Sequence, residues 1–473
     1  MELSGWNLWQ WLTLFQHEML LFAGVFFLIG ALDDLAVDLT WLWLKVSGRA
    51  STQKISRDTF VQQTLNAPVA VFIPTWQEAA VIGATIKHAL LSWPQRDLRL
   101  YVGCYRNDPA TMEAAIGIAT KFGQRSDHRL RIVILDRDGP STKADCLNRL
   151  HQAMRDDERR SGELFGAVVF HDAEDMVDPA ALGLLDAAIA SGADFVQLPV
   201  EPVVQLASPM LGSHYCEEFA EAHGKAMVVR SALGAAVPAA GVGCAISRRA
   251  LHQLSRSRVD GSPFDPVSLT EDYELGLAVA EMGGISRFLR VRGEDGTLVA
   301  TRAYFPSRLD HVVRQKTRWV HGICLQGWDR TGWSGGFIET WMRARDRRGP
   351  LTALVLLVGY SLLALTMLLW VASQTGLAPQ TPMSPLLKLL LAANLAAFVW
   401  RAGWRFAFAA RNYGWAEGIK AVLRIPVANV IAIMSGRRAV LAYIATLRGE
   451  RTTWDKTPHF AHPVQSEAGP RTA

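Results

Sequence analysis

The placement of the apolar residues constrains this chain more than any other feature. Leu351 to Ala372 is a run without a single charge, long enough to cross a bilayer core as a helix. Arg343, Arg345, Arg347 and Arg348 stand just before it, and arginines flanking a span mark its cytoplasmic side. Ser373 to Pro385 carries three prolines and no Lys or Arg, as a short external loop does. Leu386 to Trp400 then returns toward Arg401, Arg405 and Arg411, and Lys388 near its outer end can snorkel to the interface. A further run, Ile425 to Met434, is too short to span and is bracketed by Arg424, Arg437 and Arg438. It reads as an interfacial helix.

At the other end, Trp11 to Leu32 reads as a span, followed by a separate amphipathic stretch to Trp43. Asp33, Asp34 and Asp38 are expected to be solvated at the cytoplasmic interface. No basic n-region or cleavage site suggests a signal peptide. Three spans follow, with the N-terminus outside and both 46–349 and the C-terminus inside. The expected organisation is a membrane anchor at 1–47, a cytoplasmic domain at 48–349, two transmembrane helices at 350–411, an interfacial region at 412–462 and a disordered tail at 463–473.

The middle of the chain carries most of the charge and is long enough to bury a core of its own. A net charge of +5, with acids and bases interleaved, gives no reason to expect nucleic acid as a partner. The five cysteines form no CxxC pair and no zinc spacing, so they read as inert core residues of a reducing compartment. After a polar stretch, Gly48 to Phe60, that reads as a linker, short β-rich runs alternate with helical ones. Strands are expected at Val69–Pro74, Leu98–Val102, Leu130–Leu135 and Ala167–Phe170. Helices are expected at Glu78–Leu91, Met112–Phe122, Lys143–Met154 and Leu275–Met282. This is the pattern of an α/β domain with a mostly parallel sheet, in which ligands bind beyond the carboxyl ends of the strands.

Four polar clusters are candidates for that site. Phe170-His-Asp172-Ala-Glu174-Asp175 puts Asp172 and Glu174 on one side of an extended chain, where they can hold a divalent cation or form a solvated acidic turn. Thr270-Glu271-Asp272 opens a helix, so its acids serve either the helix dipole or general-base catalysis. Gln315, Arg318 and Trp319 share a helical face, fit for phosphate and a sugar ring or for anchoring at a membrane surface. Pro74-Thr75-Trp-Gln77-Glu78 forms a polar turn into a helix, either a plain cap or a nucleotide contact.

In this order the clusters resemble the family-two glycosyltransferases, in particular the membrane-embedded branch with the cellulose and hyaluronan synthases. Pro74 to Glu78 looks like the family's Pro-x-x-Asn-Glu turn, with Gln77 in place of Asn. Asn107-Asp108 looks like its first aspartate, and Lys143 with Leu147-Asn148 like its Gly-Lys-x-x-x-Leu-Asn signature. Asp172 and Glu174 fall on its DxD motif, with Glu at the second acid. Thr270-Glu271-Asp272 matches its Thr-Glu-Asp motif, and Gln315, Arg318 and Trp319 match Gln-x-x-Arg-Trp of processive members. Within this branch the chain is similar to the bacterial phage-adsorption protein B family. That similarity rests on Asn107 to Thr111, Asp33-Asp34-Leu35, Gly322 to Trp328 and Trp454-Asp-Lys456-Thr457-Pro-His459.

The resemblance implies a GT-A fold and inverting transfer from a nucleotide-diphosphate sugar, of the UDP-sugar kind, to an exported polysaccharide at the inner membrane. Thr75, Glu78 and Asp108 would meet the nucleotide. Lys143, Asp172 and Arg318 would meet the diphosphate, with Mg²⁺ or Mn²⁺ on Asp172 and Glu174. Asp272 would be the base, and Gln315 and Trp319 would hold the glycan acceptor. A membrane lipid and a periplasmic or outer-membrane secretion partner are further implied. Single transfer to a lipid-linked acceptor, or an inactive scaffold of a secretion or phage-adsorption complex, are the alternatives. Many members carry a C-terminal cyclic-dinucleotide domain; the chain ends at Ala473, and regulation by that messenger is not expected.

Overall fold

The computed structural model describes residues 6–122, 128–379, 382–450 and 461–464. The central sheet has seven strands: β1 (Val69–Pro74), β2 (Leu98–Tyr105), β3 (Leu130–Leu135), β4 (Ala167–Phe170), β5 (Phe195–Gln197), β6 (Cys244–Ser247) and β7 (Ser286–Phe288). Their order is β3-β2-β1-β4-β6-β5-β7. Neighbours run parallel except at β6, which is antiparallel to β4 and to β5. Every residue of β1 is buried, as a continuous apolar strand requires when helices cover both faces. One face packs Ile82, Ile86 and Trp93, and the other Leu147, Leu150 and Leu251.

The expected strands and helices of this region all form, with shifted ends. The helix after β1 starts at Ile82, later than expected, because Gln77 takes a left-handed φ of 55° and Glu78 stays in the turn. The helix that opens at Lys143 continues to Ser161 and stops at Gly162, whose φ of 75° provides a left-handed cap. Residues 48–60 are not a linker. Gln53–Lys54 pairs with Val291–Arg292, and Arg57 begins a helix and binds Asp178 and Asp295 at 3.1 and 2.6 Å. All five cysteines are free and buried.

Among the described residues, four helices are long and apolar enough to cross a membrane: Leu8–Val46, Gly349–Gln374, Pro385–Tyr413 and Ile425–Leu447. The first is one continuous helix of 39 residues, not a span followed by a separate stretch. Its aspartates are not solvated. Asp33 and Asp34 bind Arg345 and Arg348, and Asp34 also binds Arg401 at 3.2 Å. Asp38 is fully buried, pairs with Lys225 and accepts from the Trp400 indole at 2.8 Å. Three acids that look interfacial in sequence thus join the first helix to the central α/β domain and to the third apolar helix.

The fourth helix is longer than the ten apolar residues that mark it, because it continues through Arg437 and Arg438, both exposed. Arg424, at its start, donates to the Pro209 carbonyl at 2.7 Å and pairs with buried Glu217 at 3.2 Å. Near its other end the Tyr443 hydroxyl donates to Asp329 at 2.6 Å. Between these ends Gly436 lets it close onto Ala353 of the second apolar helix. The tail expected to be disordered, and the Trp454 to His459 motif, lie outside the described residues, except for the short piece around His462 and Pro463.

Candidate active site

A cleft of about 740 Å³ opens beyond the carboxyl end of β4. Among its lining residues are Lys143, Asp172, Glu174, Asp272, Gln315, Arg318 and Trp319. Seven of the ten residues expected at the site therefore meet in one place, although they come from segments far apart in sequence. The other three, Thr75, Glu78 and Asp108, do not line it. Thr75 and Glu78 are buried in the turn after β1, and Asp108 in the turn after β2. The Thr75 hydroxyl donates to the Gly103 carbonyl at 2.7 Å. Asp108 accepts from the Gln77 N–H at 2.6 Å, and the Glu78 N–H donates to Thr111 at 2.8 Å. These bonds hold Gln77 in a conformation that a non-glycine residue rarely adopts.

Two helix N-termini converge on the cleft. Thr142 caps the Lys143 helix by accepting from the Asp145 N–H at 3.1 Å. Lys143 thus occupies the first helical position, where the helix dipole opposes a cation. Acids compensate: its Nζ lies 2.6 Å from Asp172, and Glu271 and Asp272 add to the field that raises its pKa, against the pull of burial. Glu271 and Asp272 open the second helix, where the dipole favours them. Burial, reinforced by the Asp272 charge, pushes the Glu271 carboxyl up to about 7.

Asp272 is held firmly. Its Oδ1 accepts from the Tyr273 N–H at 2.8 Å, and its Oδ2 lies against Gly241, where a Cβ would overlap it. Gly241 also has a φ of +80°, which side chains disfavour. The Asp172 turn is fixed from within: Asp175 accepts from the Asp172 N–H and contacts His171 Nδ1, both at 2.9 Å.

Gln315, Arg318 and Trp319 end the helix Leu309–Trp319, which passes directly into a π-helix, Val320–Gln326. Gln326 braces the loop before Thr270, accepting from the Leu269 N–H at 3.1 Å. The Gln315 side chain accepts from the Tyr215 hydroxyl at 2.7 Å. Trp319 meets Tyr215 and Phe219 edge-on, with Phe305 beside them. Arg318 has a buried Nε with no hydrogen-bond partner among the described residues. Tyr215, Phe219, Phe305 and Gly241 escape sequence reasoning, since each stands outside the polar clusters. Only the φ demand on Gly241 has a sequence sign, the glycine pair at 241 and 243.

The cleft sets a lysine, an arginine and two helix N-termini against five carboxylates, Asp172, Glu174, Asp175, Glu271 and Asp272, with an aromatic wall alongside. Comparison with known proteins agrees. Residues 67–322 match the family described as Glycosyltransferase like family 2. Bacteriophage adsorption protein B of Escherichia coli (strain K12) is 30% identical over 462 residues, which is 92% of this chain and 61% of that protein. Bacteriophage N4 adsorption protein B of Escherichia coli O157:H7 matches to the same extent. The chain thus spans less than two thirds of the length of these curated relatives. Among solved structures, a mannosyltransferase from Pyrobaculum calidifontis, in complex with GDP-Man and Mn²⁺, is 17% identical with a TM-score of 0.53. That match covers 88% of this chain and 99% of the other, and shows the shared GT-A fold. The chain belongs to the glycosyltransferase-like family 2 and is a glycosyltransferase.

Proposed function

We propose that the chain transfers a sugar, with inversion, from a nucleotide-diphosphate donor of the UDP-sugar kind to a growing glycan exported across the inner membrane. The observation that carries this reading is the meeting of Lys143, Asp172, Glu174, Asp272, Arg318 and Trp319 on one cleft. The donor diphosphate lies between the two helix N-termini, where Lys143 and the unpartnered Nε of Arg318 receive its oxygens. Its base extends toward the Thr75, Glu78 and Asp108 turn. The acceptor sugar rests on Trp319, with the Gln315 amide directing one hydroxyl. Asp272, held still by Tyr273 and Gly241, takes the proton of the attacking hydroxyl, and the nucleoside diphosphate leaves.

A divalent metal fits Asp172 and Glu174. Both line the cleft, and hard oxygen donors suit Mg²⁺ or Mn²⁺ with the remaining ligands drawn from phosphate and water. Asp172 and Glu174 would be the protein's share of the ligands; no group of three such residues occurs among the described residues. When bound, the metal would neutralise charge on the leaving diphosphate.

The arginines before Gly349 argue for a cytoplasmic catalytic domain. Three apolar helices cross the membrane in this reading. The fourth lies along its surface, because both its ends bond to the catalytic domain and a crossing helix has its ends on opposite sides. The likeness to phage-adsorption proteins supports a partner in the cell envelope.

The test is release of nucleoside diphosphate by the purified chain across a panel of UDP-sugars. Asp272→Asn should lower turnover by roughly 10²–10⁴-fold, the usual yield of a general base, without changing the unfolding temperature. Full turnover by that variant would remove Asp272 as base. Excess EDTA should abolish turnover, and Mn²⁺ or Mg²⁺ should restore it; turnover insensitive to EDTA would exclude the metal. Radiolabelled product on a gel distinguishes a polymer from single addition.

A further inference from the structure

Away from the catalytic cleft, a second cavity of about 1680 Å³ lies among the first three apolar helices. The part of it that admits solvent, about 720 Å³, falls within the ~300–1,000 Å³ of a usual ligand pocket. Its walls change character along one direction. One end is charged, with Asp33, Asp34, Arg345, Arg348 and Arg401; the rest is mostly apolar, with Phe26, Phe27, Val355 and Phe398, and includes the polar Thr352 and Asn394. Phe26 and Val355 stand seven residues from Asp33 and Arg348, about 10 Å along a helix, and on the third helix Phe398 stands three residues from Arg401. The cavity therefore has the shape and polarity of an amphiphile, a polar head above a chain.

The charged end has donors to spare. Arg401 uses only Nη1, on Asp34 and Glu221, both at 3.2 Å. Its Nε and Nη2 bind nothing among the described residues, and its side chain is 37% exposed. Three guanidiniums gather at this end of the lining, so an added phosphate finds open donors on Arg401.

We propose that this cavity binds one anionic phospholipid, its phosphate on Arg401 and Arg348 and an acyl chain along Phe26, Phe27 and Phe398. The inference rests on the reading that these helices lie in a membrane. Gly30 lines the apolar part, and a Cβ there would meet nothing within 4 Å, so a side chain at this position enters the cavity without a clash. Gly30→Phe therefore plugs the cavity, and Arg401→Gln removes the free donors.

The test is native mass spectrometry of the full chain, purified in detergent and offered phosphatidylglycerol or phosphatidylcholine. The expected result is one phosphatidylglycerol retained per chain, at least tenfold less in both variants, and little phosphatidylcholine. Because Arg401 also pairs with Asp34, its variant is read only alongside Gly30→Phe, which leaves every ion pair in place. Equal retention by Gly30→Phe and the parent chain overturns the site. Equal retention of the two lipids overturns the anionic headgroup. Alkaline carbonate extraction of cell membranes checks the membrane reading separately: release of the chain there defeats that reading, whatever lipid the purified chain holds.

Discussion

A glycine sets the position of Asp272, the proposed base. Gly241 has no Cβ where Asp272 Oδ2 lies, and it holds a φ of +80°. Gly241→Ala adds both a steric and a backbone penalty at that contact. The expected result is a fall in kcat of about 100-fold, the cost of misplacing a reacting group by ~1 Å, with a smaller change in donor KM. Kinetics at saturating metal would check this, and an unchanged kcat would release Asp272 from its dependence on the glycine. Sequence reading found Asp272 because acids at a helix start carry a recognisable pattern. It did not find Gly241, since a glycine's role depends on which atom comes to rest against it.

At the scale of elements, the proposed acceptor side of the cleft is a helix held from behind. Tyr215 comes from the helix His214–Glu221 and donates to Gln315 across the gap. Burial pushes its phenol well above the ordinary value, so it remains a donor at every working pH. Tyr215→Phe keeps the ring in the aromatic wall and loses only this bond. Acceptor KM should rise roughly tenfold, as one net hydrogen bond of ~1–1.5 kcal/mol implies, while donor KM holds. A rise in donor KM instead would put Gln315 on the wrong substrate. The strands and helices that frame the cleft were legible from alternation alone, since each buries a continuous apolar run. The helix at Tyr215 and the aromatic wall were not, because their partners lie about a hundred residues away.

Over the whole molecule, stability should depend on pH through three buried histidines. Burial lowers the pKa of His151, His214 and His223 to about 4. His223 Nδ1 accepts from the Val200 N–H at 2.9 Å, a bond that protonation would destroy. Above pH ~6.5 these rings are neutral in folded and unfolded chains alike and add no pH dependence. As pH falls from there to about 4, only the unfolded chain gains protons, so stability declines. Each ring contributes a loss on the order of 3 kcal/mol at the low end. Thermal unfolding in detergent should show Tm falling across this window, with a shallower slope in His223→Gln; parallel slopes would acquit that ring. Membrane architecture was legible in part. Long uncharged runs declare themselves, but Asp33, Asp34 and Asp38 misled, because a buried acid and a solvated one look alike until the opposing arginines and lysine are in view.

The first helix carries one more consequence. Its 39 residues reach about 58 Å at 1.5 Å each, nearly twice the ~30 Å of a bilayer's hydrocarbon. Its far end is packed into the catalytic domain through Val37, Trp41 and Leu44. One unbroken rod thus acts as a ruler that sets the height of the cleft above the lipid. An enzyme mounted this way has no room to rise and fall like a piston as it works. On the proposed reading, with a glycan growing at this cleft, what travels with each added sugar is the product.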